Sequence, residues 1–168
     1  EEIKRVIEDF ANAAVKCKEA GADGVQIHGA HGYLLSEFLS PYFNKRDDEY
    51  GGSNANRAKI VFEVYDAIRS KVGNKYPVLI KINYSDLVDG GLSNDECIWV
   101  CKELAKRGID AIELSSGIGA DKNSRPSKLI ENESDEGSFA DGALRLAAEV
   151  DVPVISVGGY RTPAVIEK

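Results

Sequence analysis

Apolar and polar positions along the chain switch between two periods. Over residues 3–20 the side chains of Ile3, Val6, Ile7, Phe10, Ala13, Ala14 and Cys17 recur at the spacing of one helical face, and Gly21 supplies a stop. The period then drops to two in GADGVQIH, where Val25 and Ile27 share one face and Gln26 and His28 the other, as in a strand. The stretch VQIHGAHGYLLSEFLSP thus begins as a buried strand and ends as an amphipathic helix. Three more short apolar runs, at 76–83, 108–116 and 151–159, repeat the strand form. Helical periods lie between them at 57–72, 94–107 and 137–150, and Thr162-Pro163 reads as a further helix start.

An internal echo supports this register. CKEAGADGVQI is answered by CKELAKRGIDAIEL, which matches Gly21 with Gly108, Asp23 with Asp110 and Gln26 with Glu113. Strands separated by helices predict a parallel sheet covered by helices on at least one face, either an open doubly wound sheet or a (β/α) barrel. The strand faces opposite the aliphatic rows help to choose. They carry Gln26 and His28; Leu79, Lys81 and Asn83; Ala111, Glu113 and Ser115; and Val154, Ser156 and Gly158. A sheet covered on both sides should be oily on both, whereas a barrel gathers polar groups near the carboxyl ends of its strands. The expected class is therefore α/β, a partial (β/α)8 TIM barrel. A whole barrel takes eight strands and ~250 residues; four strands are legible, and the chain opens in mid-helix without a methionine, so it reads as one piece of a longer barrel.

Composition narrows the ligands. The 168 residues are 43% hydrophobic, enough for one core, and the net charge of -7 opposes a general attraction to nucleic acid or anionic membrane. Small molecules are the expected partners. No apolar run is long enough to span a membrane as a helix. The three cysteines, Cys17, Cys97 and Cys101, read as reduced, packed thiols of a cytoplasmic protein, because their number is odd and two lie one helical turn apart in apolar runs.

Several residues could carry chemistry. Lys81 sets one ammonium in the aliphatic run VLIKIN, and burying it unpaired would be costly. It should face a protein carboxylate such as Glu113, or a ligand on which negative charge develops. SVGGY follows the last strand; Gly158 and Gly159 there could let backbone N–H groups approach a phosphate, or could serve only a tight turn. His28 and His31, both of the chain's histidines, sit at one strand exit. No third ligand lies near them for zinc, so they read better as hydrogen-bond donors to a substrate oxygen. Tyr33 adds a phenol, which is protonated at neutral pH and able to act as a general acid.

HGAHGYLLSEFLSPYFNKRDDEYGGSNANR, running from His28 to Arg57, resembles the signature of the Old Yellow Enzyme family of flavin oxidoreductases (NADH:flavin oxidoreductase / NADH oxidase), with its H-x-x-[HN]-G-Y-L-L, F-L-x-P and Y-G-G-S elements in order. Ala55 and Lys59 depart from that pattern, where Glu and Arg are frequent. The resemblance covers essentially all of the chain. It implies strands four to seven of an FMN-binding (β/α)8 barrel reduced by NADH or NADPH. Hydride then passes from flavin to the β-carbon of an activated alkene. By the same resemblance His28 and His31 hold the electron-withdrawing group and Tyr33 protonates the α-carbon. Lys81 lies beside flavin N1 and O2, and Gly158 and Gly159 reach the FMN phosphate. Any 4Fe-4S cluster of the kind some relatives carry falls outside these residues.

Two other readings remain at this stage. One is a phosphate-binding barrel lyase or isomerase in which Lys81 forms a Schiff base. The other is a non-catalytic half-barrel that self-associates, as a homo-oligomer, to cover its sheet edges.

Overall fold

The computed structural model describes residues 1–167. Along them run α1 (Glu2–Glu19), β1 (Val25–Gly29), α2 (Leu34–Leu39), α3 (Asn54–Val72), β2 (Val78–Asn83), α4 (Asn94–Arg107), β3 (Ala111–Ser115), a 3-10 turn (Glu133–Asp135), α5 (Ala140–Ala147), β4 (Val154–Ser156) and α6 (Pro163–Ile166). All strand pairs are parallel and the order is β1-β2-β3-β4. A doubly wound sheet reverses its order at a switch point; this one does not.

Its helices also cover one face only. Ile27, Val78, Ile80, Ile82, Ile112 and Leu114 are buried in a single core with residues of α1, α2, α3, α4 and α5. The opposite face carries Gln26, His28, Leu79, Lys81 and Glu113, all exposed or half-buried. Sequential parallel strands with one naked, polar face are what a barrel wall requires.

Local signals set the element ends. Ser93 and Glu96 form a reciprocal capping box at the start of α4, and Ser53 accepts the Asn56 N–H at the start of α3. The echoed glycines, Gly21 and Gly108, follow their helices in the same left-handed backbone, with φ of 87° and 86°. Between α2 and α3 the chain has no regular structure yet is tied down from within. Asn44 Nδ2 donates to the carbonyls of Phe38 (2.7 Å) and Tyr50 (2.8 Å). Buried Arg57 donates to those of Leu39 and Gly52 and pairs with Glu96.

Three expectations need correction. The helix read over 137–150 is shorter, Ala140–Ala147, because a 3-10 turn and Gly137, at φ 66°, take up the approach. Of the cysteines, Cys97 and Cys101 are buried free thiols 3.8 Å apart, but Cys17 is exposed on α1. The faces of β4 are reversed: Val154 aligns with Ile112 and Ser156 with Leu114, so both point to the helices and Ile155 shares the polar face with Glu113. Ser156 misled because polarity alone marked it as inward; its hydroxyl is satisfied at 2.8 Å by the Tyr160 hydroxyl instead. No helix among the described residues is long and apolar enough to cross a membrane.

Candidate active site

The polar face concentrates its chemistry at the carboxyl ends of β1, β2 and β3. Strand register puts His28 beside Lys81 and Lys81 beside Glu113. Lys81 Nζ lies 2.7 Å from Glu113 Oε1, and Gln26 Nε2 donates to Glu113 Oε2 at 2.9 Å. The carboxylate partner considered for Lys81 is therefore present.

Beyond β1 the backbone turns sharply. His31 and Gly32 adopt consecutive left-handed conformations, with φ of 64° and 74°. A Cβ on Gly32 would come within 2.9 Å of the Ile118 carbonyl oxygen, so this position takes only glycine without rearrangement. Left-handed backbone in a non-glycine residue favours Asn, Asp and His, which accounts for His31. The turn delivers Tyr33 as the N-cap of α2, 64% exposed. It folds both later rings over His28: His28 and His31 are 5.5 Å apart between centroids, and His28 and Tyr33 are 5.1 Å apart. The two histidines and the phenol singled out in the sequence are thus brought together beside the Lys81–Glu113 pair.

Asn83 and Ser115 hold this arrangement. The His31 N–H donates to Asn83 Oδ1 at 3.2 Å. Buried Asn83 in turn donates from Nδ2 to Asp86 Oδ1 (3.1 Å) and to the Gly117 carbonyl (3.0 Å). Buried Ser115 meets His31 Nε2 through its hydroxyl at 2.8 Å. Sequence reading placed Asn83 and Ser115 on the inner face without a role and passed over Asp86. The signal was there in NYSD, an amide and a carboxylate three residues apart at a strand end, where side chains bond to nearby backbone.

Charge follows from this packing. Burial, and then the Lys81 cation, lower the His28 pKa, against the opposing pull of Glu113. The same causes, with His28 added, bring His31 down to about 4. Both rings are neutral at neutral pH, so each offers one N–H donor and one acceptor. For Glu113, burial acts to raise the pKa, but hydrogen bonds from Lys81 and Gln26 outweigh it and the carboxyl lies below its ordinary range. A depressed histidine contributes stability that is complete above 6.5 and is lost as pH falls toward about 4. In an NMR titration the His31 ring is expected to show a midpoint near 4, and Lys81→Met to raise it. An unmoved midpoint in that variant would take Lys81 out of the site's electrostatics.

Gly158 and Gly159 stand apart, at the exit of β4 on the far edge of the sheet. Their φ values are 145° and 76°, and a Cβ on Gly159 would lie 2.6 Å from Ile130 Cγ1, so the turn itself requires glycine there. The amides of Arg161 and Thr162, beyond Tyr160, are already engaged. The Glu136 carboxylate accepts from Arg161 N (2.6 Å), Thr162 N (2.9 Å) and Thr162 Oγ1 (2.8 Å).

Known proteins share this fold and sequence. The chain is 36% identical over 167 residues to the NADH oxidase of Thermoanaerobacter brockii, covering 99% of itself and 25% of that protein. Among solved structures, 2-naphthoyl-CoA reductase in complex with 2-naphthoyl-CoA superposes with a TM-score of 0.89 at 32% identity, over 99% of this chain and 25% of the other. The Old Yellow Enzyme homologue of Zymomonas mobilis shares the fold, with a TM-score of 0.74 at 24% identity, over 95% of this chain and 42% of that one. The chain therefore spans about a quarter to under half the length of these proteins, as an α/β segment of their TIM barrels. The matching sequence profile runs over residues 1–168, and by fold and sequence together the chain belongs to the NADH:flavin oxidoreductase / NADH oxidase family.

Proposed function

We propose that this chain is the substrate-facing and flavin-facing part of an FMN-dependent, NADH- or NADPH-reduced oxidoreductase of the cytoplasm that reduces activated alkenes such as enones. One observation carries the reading: two neutral imidazoles and an exposed phenol converge beside a cation on the open face of the sheet. That donor set fits a flavin and a carbonyl substrate. A fixed cation at Lys81 suits negative charge gathering on the flavin edge. Neutral His28 and His31 suit a carbonyl oxygen, which they can polarise by hydrogen bonding without protonating it. With Nε2 of His31 held by Ser115, its other ring nitrogen is the one free to meet a ligand.

When bound, reduced FMN supplies the hydride for the β-carbon of the alkene. Tyr33 then delivers a proton to the α-carbon and, being exposed, recovers one from water. At the far edge, phosphate contact falls to the amides of Gly158 and Gly159 and to the Arg161 side chain, while Glu136 holds the amides of Arg161 and Thr162. Family membership in a flavin oxidoreductase group removes the motive for a Schiff base at Lys81, and the Lys81–Glu113 pair accounts for its burial.

The test is spectroscopic. The purified protein containing this chain is expected to show a flavin absorption band that bleaches with NADH or NADPH under anaerobic conditions and returns when an enone is added, with the saturated ketone as product. Replacing both His28 and His31 by alanine is expected to weaken phenol or enone binding by about tenfold or more, the loss of two hydrogen bonds to one oxygen. A protein without flavin, a reduced flavin that the enone does not reoxidise, or unchanged affinity in the double variant would each count against the assignment.

A further inference from the structure

Glu113 uses both carboxylate oxygens on side chains from neighbouring strands, Lys81 of β2 at 2.7 Å and Gln26 of β1 at 2.9 Å. The pair is largely enclosed, with side-chain exposures of 23% for Lys81 and 17% for Glu113. Packing does not call for an ion pair here. The aligned residue on β4 is Ile155, and one step away on the same face β2 and β3 carry Leu79 and Ala111. Well-packed apolar residues in place of a buried ion pair are often as stable or more so. The charges therefore need a reason other than holding the sheet together. A second feature bears on this: His28, in register with Lys81, lies on the same level of the open face, so any change in the net charge of the pair is felt where ligands are received.

Resting on the flavin reading above, we infer that Glu113 is a positioning residue that fixes the Lys81 ammonium and offsets its charge, limiting how strongly that cation favours reduced over oxidised flavin. Glu113 itself touches neither flavin nor substrate in this role; it acts through Lys81. Gln26 aims the carboxylate by occupying its second oxygen.

The midpoint potential of the flavin-loaded protein tests this. Glu113→Gln keeps the shape, still accepts from Gln26 and removes the charge. It is expected to favour the reduced flavin by roughly tenfold, as for one unit charge removed several ångströms away at an intermediate dielectric. For a two-electron couple that is a positive shift of about 30 mV. Lys81→Met is expected to shift the potential in the negative direction. Glu113→Asp, one methylene shorter, draws the charge away from Lys81 and should move the potential the same way as Glu113→Gln but less far. It decides the matter where Glu113→Gln retains no flavin. A flavin bound with unchanged or more negative potential in the Glu113 variants overturns the inference alone. An unaltered protein that carries no flavin overturns the reading beneath it, and the inference with it.

Discussion

Replacing Tyr33 by phenylalanine is expected to slow reoxidation of the reduced protein by an enone by about a hundredfold or more, the lower range for loss of a positioned general acid. Reduction by NADH or NADPH should stay within about twofold, since no proton from the phenol is needed in that half and uniform effects are not expected of a group used in one step. The geometry supports a separable effect. Tyr33 is 64% exposed and caps α2 with its backbone rather than its side chain. Its ring contact with His28, at 5.1 Å between centroids, survives loss of the hydroxyl. Anaerobic stopped-flow measurement of the two halves separately decides it; equal losses in both would reduce Tyr33 to a packing role.

The largest stability effect is expected at Arg57, which lies at the start of α3. Its Nε donates to the Leu39 carbonyl at 2.8 Å, its Nη1 to the Gly52 carbonyl, and its Nη2 pairs with Glu96 at 2.5 Å. The Arg57 side chain is 5% exposed and that of Glu96 30%. Arg57→Leu removes one member of a buried pair and leaves two carbonyls and Oε1 of Glu96 without the Arg57 donor, while Oε2 keeps Ser93. A cost of about 3 kcal/mol is expected, toward the lower end for broken buried pairs because water reaches Glu96 in part. Arg57→Lys should recover only a fraction, since a single ammonium cannot reproduce three fixed directions of donation. The check is a lowered urea midpoint with an unchanged slope; a midpoint that does not move would show that the clamp contributes nothing to the fold.

Most of this architecture was legible in the chain. The period-two runs gave all four strands, because each alternates against a helix-covered face. Gly21 and Gly108 marked two helix ends in both sequence and backbone. The His28–Tyr33 cluster was legible because its members are close in sequence and one turn gathers them. What escaped was what depends on neighbouring strands. The facing of β4 is set by its alignment with β3, which places Ile155 rather than Ser156 beside Glu113. The support of His31 by Asn83 and Ser115 spans 52 and 84 residues, a separation at which no local pattern speaks. The short helix α2 was only half visible, since six residues give little more than one turn of periodicity.

The left-handed His31 has a bearing on how a ligand is received. Its peptide nitrogen is tethered to the tip of β2 and its ring to the tip of β3, so the imidazole takes its aim from the rigid wall and not from the loop that carries it. A visitor meets hardware already set, and little of the contact energy goes into ordering it. Selectivity at this end of the pocket should then follow the visitor's own outline, with the reply to a poor fit being rejection instead of accommodation.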